Sequence, residues 1–236
     1  MTNCKLYGTR KIFKAKHNRL TSMYIPKQFE QPRVEAMHEL MRARPLATLV
    51  TQTSGGLDAN HIPLHLSDAP APLGTLRGHV ARANPLWRDC AKEIEVLSIF
   101  HGPDVYITPS WYATKHETGK VAPSWNYAVV HAHGELRVVD DAAWVRAHLE
   151  ALTDYHEADF PNPWAVSDAP HEFTGKLIES VVGIEIVITR LSGKWKVSQN
   201  QPAQNRTGVI EGLRGCGHRD AVAMAALVET GAKDVR

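Results

Sequence analysis

A predicted hairpin decides the fold, and its sequence reads Leu46-Ala47-Thr48-Leu49-Val50-Thr51, then Ser54-Gly55-Gly56, then Leu57-Asp58-Ala59-Asn60-His61-Ile62-Pro63-Leu64. The first stretch has the composition of a strand, the glycine pair predicts a tight turn, and the last stretch predicts the returning strand. Pro63 has no N–H group, so it must lie at an edge, at a bulge or at the end of that strand. The chain therefore starts its sheet with an antiparallel pair.

The remaining pattern extends this pair into a larger sheet. Further strands are predicted over 73–83, over 95–100 and 104–108 with a kink at His101-Gly102-Pro103, and over 126–139, 181–189 and 194–199, the last two joined by a turn at 191–193. Helices are predicted over 32–44, after Pro85, over 141–155 with Asp140 as the cap, over 172–180 and over 219–229. Strands and helices do not alternate regularly, which excludes a doubly wound sheet. The prediction is an α+β protein with a six- to seven-stranded antiparallel β-barrel and flanking helices.

Composition divides the chain into segments. Six of the 27 basic residues and none of the 25 acidic residues lie in residues 1–22, which leaves a net charge of −4 for the rest of the chain. We predict a poorly ordered basic leader or non-native start at 1–22, a barrel domain at 23–213 and a C-terminal helix at 214–236. No apolar run approaches the roughly 20 residues of a membrane span. Three scattered cysteines favour the cytoplasm.

Several motifs that define common enzyme and nucleotide-binding classes are absent from the sequence. It contains no GxGxxG, GxxxxGK[ST], HExxH or GxSxG motif, which excludes the usual Rossmann, P-loop, zincin and hydrolase interpretations. Two histidine pairs, His131 with His133 and His61 with His65, have strand spacing. No cysteine or acidic residue recurs at ligand spacing beside them, so no metal site is predicted.

Three polar and aromatic clusters lie at predicted strand ends. Residues 77–87 place Arg77, His79 and Ala81 on one face and Arg82 on the other, which fits either a phosphate site or an exposed basic edge. Residues 106–112 and 124–127 hold large aromatic side chains suited to a planar ligand or to a subunit interface. Residues 193–201 place Lys194, Lys196 and Ser198 on one face, as an anion-binding strand or as a lysine-protected edge.

The motifs together resemble the PaiB family, which is described as FMN-binding negative transcriptional regulators with the split-barrel fold of pyridoxamine-phosphate-oxidase-like proteins. The resemblance covers about Met23 to Leu213 in consistent order. It is carried by the stretches MYIPKQF at 23–29, RPLATLVT at 44–51, ANHIPL at 59–64, GHVARANP at 78–85, ITPSWY at 107–112, WNY at 125–127 and GKWKVSQN at 193–200.

The resemblance implies a homodimer that holds FMN in a cleft at the dimer interface, formed by residues 23–213. It implies contacts of Arg77, His79, Arg82 and Asn84 with the FMN phosphate and ribityl chain. Main-chain groups at the edge of the flavin ring would come from four positions, namely Thr51, Asn60, His61 and Ile62. Trp111 and Trp125 would reach across from the partner, and Lys196 and Gln199 would close the pocket.

Several functions remain open at this point. A regulator that contacts DNA directly is disfavoured, because the chain from Met23 onward is acidic and shows no helix-turn-helix, zinc finger or basic recognition helix. One alternative is a flavin-dependent oxidoreductase of the pyridoxamine-phosphate-oxidase-like group, in which FMN supplies the hydride chemistry. A second is a haem-binding split barrel with a histidine ligand, and a third is a vestigial cofactor site in a protein that acts through partners.

Overall fold

The computed structural model describes residues 23–89 and 95–231 of the chain. The strands are β1 (Glu30–Gln31), β2 (Leu46–Thr53), β3 (Gly56–Pro63), β4 (His65–Ser67), β5 (Thr75–Ala81), β6 (Val96–Ile107), β7 (Ser124–Val139) and β8 (Val181–Lys196). The helices are α1 (Val34–Ala43), α2 (Leu86–Asp89), α3 (Thr114–Thr118), α4 (Ala142–Glu157), α5 (His171–Glu179), α6 (Ala203–Gly215) and α7 (Ala221–Gly231). The predicted leader, residues 1–22, lies outside the described residues.

The eight described strands form one antiparallel sheet in the order β3-β2-β6-β7-β8-β5-β4, with β1 added to β8. The predicted α+β split barrel with flanking helices is confirmed. Two of the eight strands were not predicted, because β1 has only two residues and β4 only three. Strands this short carry too few residues to show an alternating pattern.

The sheet closes at one residue. Its terminal strands, β3 and β4, are separated along the chain by Leu64 alone, so the two ends of the sheet must be neighbours. Pro63 ends β3 as predicted, and the buried Leu64 donates its N–H to the Pro45 carbonyl at 2.9 Å. Strand β5 passes close beneath this junction at Gly78, where an added Cβ would lie 2.7 Å from Leu64 Cδ2. The close approach at the closure therefore leaves little space for a side chain at Gly78.

Alternate residues of the strands fill the barrel interior with apolar side chains, and α1 covers one end through Met37 and Met41. The fully buried members of this core include Leu49, Leu76, Phe100, Val130, Ile184 and Ile186. Polar and half-buried residues occupy the outer face of the same strands. Period-two alternation in the sequence is thus the cause of the barrel's two faces.

Two local predictions are wrong. Residues 181–196 form one continuous strand instead of two strands joined at 191–193, because this segment pairs with β7 through Lys196. The N-cap of α4 is Asp141 and not Asp140, since the Asp141 carboxylate accepts the Trp144 N–H at 2.7 Å. The predicted kink in the fourth predicted strand is present as a register shift between His101 and Asp104 of β6.

The C-terminal helices pack on the end of β6 and form a second apolar cluster with Trp111. Helix α6 was not predicted, because three of its thirteen residues are glycines and its apolar positions are few. Two of these glycines, Gly208 and Gly212, form a notch for Trp111: a Cβ at Gly212 would lie 2.3 Å from the indole ring. The predicted C-terminal helix is present as α7.

In the part of the chain that the structure describes, every helix is too short or too polar to cross a membrane.

The notch gives a stability prediction. Gly212→Ala forces its methyl group into the Trp111 ring, so we expect the free energy of unfolding to fall by about 1–3 kcal/mol. Gly215→Ala, in the same helix but with open space around the new methyl group, should change it by less than about 1 kcal/mol. Urea denaturation of both variants measures the difference. Equal midpoints would contradict the notch.

Candidate cofactor site

A seam lies where β3 faces the segment that follows β5. The Asn84 amide donates to Asn60 Oδ1 at 2.8 Å, and Asn60 donates to Asp58 Oδ2 at 3.0 Å. Asn84 Oδ1 also accepts the Leu86 N–H at 2.9 Å, which fixes the turn into α2. We call Asp58, Asn60 and Asn84 the seam. Asn60 and Asn84, both predicted as cofactor contacts, are therefore brought together.

The other predicted residues near the seam differ in their burial. Strand β3 pairs with β2 along one edge only. The main-chain groups on its other edge take no part in the described strand pairing, so they are available for the predicted contacts with the edge of the flavin ring. Thr51 lies opposite Asp58, is 2% exposed, and its hydroxyl has no hydrogen-bond partner among the described residues. His61 contacts Thr48 Oγ1 through Nδ1 at 3.2 Å, and Ile62 is buried in the barrel core.

Arg77 and Arg82 lie away from the seam, each bound to a carboxylate. Arg82 donates to both oxygens of Asp140, at 3.0 and 2.7 Å, and also to the carbonyls of Glu179 and Val181. Arg77 lies on the outer face of β5 and donates to Glu185 at 3.1 Å. In this structure both guanidinium groups bind parts of the same chain, and their predicted phosphate contacts stay predictions.

His79 lies under α4 and not at the seam. Its Nδ1 is 3.2 Å from His148 Nε2, and the His148 ring stacks on Trp144 with a centroid separation of 5.2 Å. Burial lowers the pKa of both histidines; for His148 burial and the nearby His79 lower the pKa to about 4. The two rings are neutral at pH 7, so one N–H donates to the unprotonated nitrogen of the other.

A second group of polar and aromatic residues lies on the outer face of β6, β7 and β8. Tyr106 and Trp125 face each other in register with ring centroids 6.0 Å apart, and each is half exposed. Lys196 donates to the Trp125 carbonyl at 2.6 Å and to Ser124 Oγ, while Lys194 lies over the Tyr127 ring. We call Tyr106, Trp125, Tyr127, Lys194 and Lys196 the aromatic–lysine cluster.

The cations of this cluster differ from the two arginines. Neither Lys194 nor Lys196 has a salt-bridge partner among the described residues, and burial together with Lys194 lowers the pKa of Lys196. Gln199, which was predicted to close the pocket, folds back instead to the Val197 N–H and the Trp195 carbonyl. Trp111, predicted to reach across to a partner, packs against α6 of its own chain.

The seam and the aromatic–lysine cluster are far apart within one chain. Two strands separate β3 from β7, which is about 14 Å across the sheet. His61 shares a cross-strand row with Thr48, Ile99 and His131, and Trp125 lies six residues further along β7, about 20 Å away. A single chain does not join the two groups into one site.

Some relevant residues were missed from the sequence. Asp58 had a local signal, since it lies two residues before Asn60 on the same side of β3. His148 and Glu185 had none, because their partners lie on β5, more than sixty residues away along the chain. Among the described residues, no group of three histidine, cysteine or acidic side chains is arranged to hold a metal ion.

The residues present suit a flavin. The half-exposed Tyr106–Trp125 pair offers a surface for a planar ring, the seam amides offer hydrogen-bond donors, and the two lysines offer positive charge. A barrel that closes through Leu64 and leaves a seam beside β3 is a split β-barrel.

The family follows from the sequence comparison. A family model described as "Putative FMN-binding domain" matches residues 23–190, and the chain belongs to this family, of which the PaiB proteins predicted from the motifs are members. The description of the family names FMN, the cofactor that the resemblance implied. The matched range ends inside β8 and does not include α6 and α7.

Relatives occur in fungi and bacteria. The chain is 34% identical to the uncharacterized protein AN0679 of Emericella nidulans over 83% of this chain and 92% of that one. It is 28% identical to the protease synthase and sporulation protein PAI 2 of Bacillus subtilis, over 88% and 97%. The FAD and heme binding protein of Mycobacterium smegmatis has the same fold, with a TM-score of 0.53 at 17% identity over 71% and 73%.

The buried histidine pair predicts a pH dependence. Because the pKa of His148 is about 4 when folded and near 6.5 when unfolded, the unfolded chain binds a proton first as the pH falls. The contribution of His148 to the free energy of unfolding is therefore complete only above about pH 6.5. We expect the free energy of unfolding to fall by about 2 kcal/mol between pH 6.5 and 4.5 as a result.

His148→Gln should therefore flatten the dependence of the unfolding free energy on pH in that range, measured by urea denaturation at several pH values. His156→Gln, an exposed histidine of the same helix, is the matched control and should leave the slope unchanged. A slope that is equally steep in His148→Gln would contradict the assignment.

Proposed function

We propose that this chain forms a homodimer with two FMN sites, each completed by residues from both subunits. The observation that carries the proposal is the separation of the seam from the aromatic–lysine cluster within one chain. Both groups suit a flavin and neither surrounds one. A second copy, related by a two-fold axis, brings the cluster of each chain to the seam of the other.

The outer face between the two groups supports this arrangement. It carries apolar side chains that a single chain leaves accessible, with Leu46 62% and Leu57 78% exposed, and Val50, Leu97 and Ile99 half-buried. Apolar side chains exposed on one face of a sheet suit a protein interface. The strands β3, β2 and β6 present this surface along one continuous sheet.

The roles of the residues follow from their groups. Asn60 and Asn84 would orient the cofactor through amide hydrogen bonds, and Trp125 and Tyr106 of the other subunit would cover its ring. Lys196, held by Ser124 and the Trp125 carbonyl, would supply charge to an anionic part of the cofactor. FMN, when bound, supplies one- and two-electron redox chemistry.

Titration with FMN, followed by quenching of flavin fluorescence, tests the shared site. We expect one FMN per chain, and we expect Asn84→Ala and Lys196→Ala each to weaken binding about tenfold through one lost hydrogen bond or charge contact. Lys176→Ala, an exposed lysine paired with Glu172 on α5, is the matched control. Wild-type affinity in both site variants would contradict the placement.

Co-expression of the Asn84→Ala and Lys196→Ala chains tests whether the site crosses between subunits. Half of the dimers then contain one chain of each kind, and one of the two sites in each mixed dimer has only native residues. About a quarter of all sites should therefore recover the wild-type affinity. No recovery in dimers shown to be mixed by mass spectrometry would place each site within a single chain.

We further propose that the negative regulation of transcription implied by the PaiB resemblance is indirect. Residues from Met23 onward carry a net charge of −4, and attraction to DNA phosphates supplies much of the affinity of DNA-binding proteins. Salt-dependent DNA binding would reside in the basic residues 1–22.

Gel-shift titrations with DNA test this second proposal. A chain that starts at Met23 should show no binding at about 50 mM salt, whereas the full chain should bind promoter and random DNA alike. Preferential binding of promoter DNA by the Met23 chain would establish direct regulation and contradict the proposal.

A further inference from the structure

A groove crosses the outer face of β5, β8 and β7 beside α4. Its floor has two cross-strand rows, Arg77–Glu185–Arg137 and Thr75–Val187–Glu135, in the register of the three strands. Ala69 and Pro70 form the rim, where Ala69 accepts a hydrogen bond from Thr75 at 2.8 Å. The groove has a volume of about 450 Å³, within the range of small-molecule sites.

Glu185 organises the floor of the groove. This carboxylate is 4% exposed and accepts hydrogen bonds from Arg77 Nε at 3.1 Å, Trp144 Nε1 at 3.3 Å and Arg137 Nη2. Burial alone would raise the pKa of Glu185, but the hydrogen bond from Arg137 and the charges of both arginines outweigh it and lower the pKa. A charged Glu185 therefore holds two guanidinium groups on either side of itself.

Both guanidinium groups keep donors for a ligand. The Arg77 side chain is 44% exposed and the Arg137 side chain is 70% exposed. In the described contacts Arg77 uses only Nε and Arg137 only Nη2, so their remaining N–H groups have no protein partner there. Two arginines held by one buried carboxylate are preorganised for the planar, two-oxygen geometry of another carboxylate.

The remaining lining restricts the ligand further. Val187 on the floor and the Pro70 ring at the rim are apolar, and they offer a surface to a hydrocarbon body. Glu135 adds a negative charge on the same floor, and it opposes a second negative charge on the ligand. The charges of the four ionised side chains sum to zero, which disfavours nucleotides and other polyanions.

We infer that this groove binds a small organic monocarboxylate, with its carboxylate on Arg77 and Arg137 and its apolar body against Val187 and Pro70. The site is separate from the proposed flavin site. Arg77 lies on the outer face of β5, whereas Asn84 lies beyond the end of that strand at the seam. The inference therefore does not depend on FMN binding.

Trp144 provides a reporter for this site, since its indole N–H donates to Glu185. The full chain is titrated with hexanoate while the indole N–H signals are followed by NMR, and Trp144→Phe identifies the Trp144 signal. We expect a saturable shift with hexanoate and none with hexanamide, the neutral analogue of the same length, or with hexylamine. No shift with hexanoate, or an equal shift with hexanamide, would overturn the inference.

A variant then tests the charge of Arg137. Arg137→Gln should weaken hexanoate binding about tenfold or more, and Arg214→Gln, whose salt bridge joins α6 to α7, should leave it unchanged. Thermal unfolding followed by circular dichroism confirms that both variants fold. Wild-type affinity in folded Arg137→Gln would overturn the inference.

Inorganic phosphate tests the preference for a single charge. It should bind the native chain more weakly than hexanoate does, and Glu135→Gln should bind phosphate more tightly than the native chain. If phosphate binds the native chain as tightly as hexanoate, the groove is a general anion site and the assignment to a monocarboxylate is wrong. FMN titration of the same variants should be unaffected, which separates this result from the proposed function.

Discussion

The single-residue junction at Leu64 is the constraint on which the rest of the structure depends. Because β3 ends at Pro63 and β4 starts at His65, the two ends of an eight-stranded sheet are held side by side, and the sheet has to curl into a barrel. The curl encloses the apolar face of every long strand. It also leaves β3 without a ladder partner on its second edge, since the neighbouring β5 pairs with β8 and β4. The seam that binds Asn60 to Asn84 is a direct result.

Closure of the barrel also determines which charged side chains are paired within the chain and which are available to a ligand. The outward side chains of β5 lie under α4, where Arg77 contacts Glu185 and His79 contacts His148. Arg82 is held by Asp140, just before α4. The charges of Arg77 and Arg82 are thus compensated within the chain. The lysines of the aromatic–lysine cluster have no such carboxylates among the described residues, which makes them the cations best placed for an anionic cofactor.

The family model and the structure divide the chain at different places. The matched family region ends at residue 190, inside β8, whereas the strand continues to Lys196 because it pairs with β7 as far as Tyr127. Beyond it, α6 and α7 are tied to the barrel by Trp111 in the α6 notch and by a salt bridge from Arg44 to the buried Asp220 at 2.6 Å. The C-terminal helices thus share packing with the barrel and stabilise the loop that carries Trp111.

The sequence by itself determined the barrel, because period-two alternation, the glycine turn at 54–56 and Pro63 are local signals that do not depend on residues distant along the chain. The motifs also predicted a cofactor role for Asn60, Asn84, Trp125 and Lys196, which stays a prediction. The sequence did not indicate that β8 is continuous, because Ser192 and Gly193 have the composition of a turn. Only their pairing with β7 keeps them in the strand. Only the tertiary structure decided which cations are free, because Arg82 and Asp140, or Arg77 and Glu185, are distant along the chain and meet only after the strands pair. Ion pairing depends on distance in space, and sequence spacing does not report it.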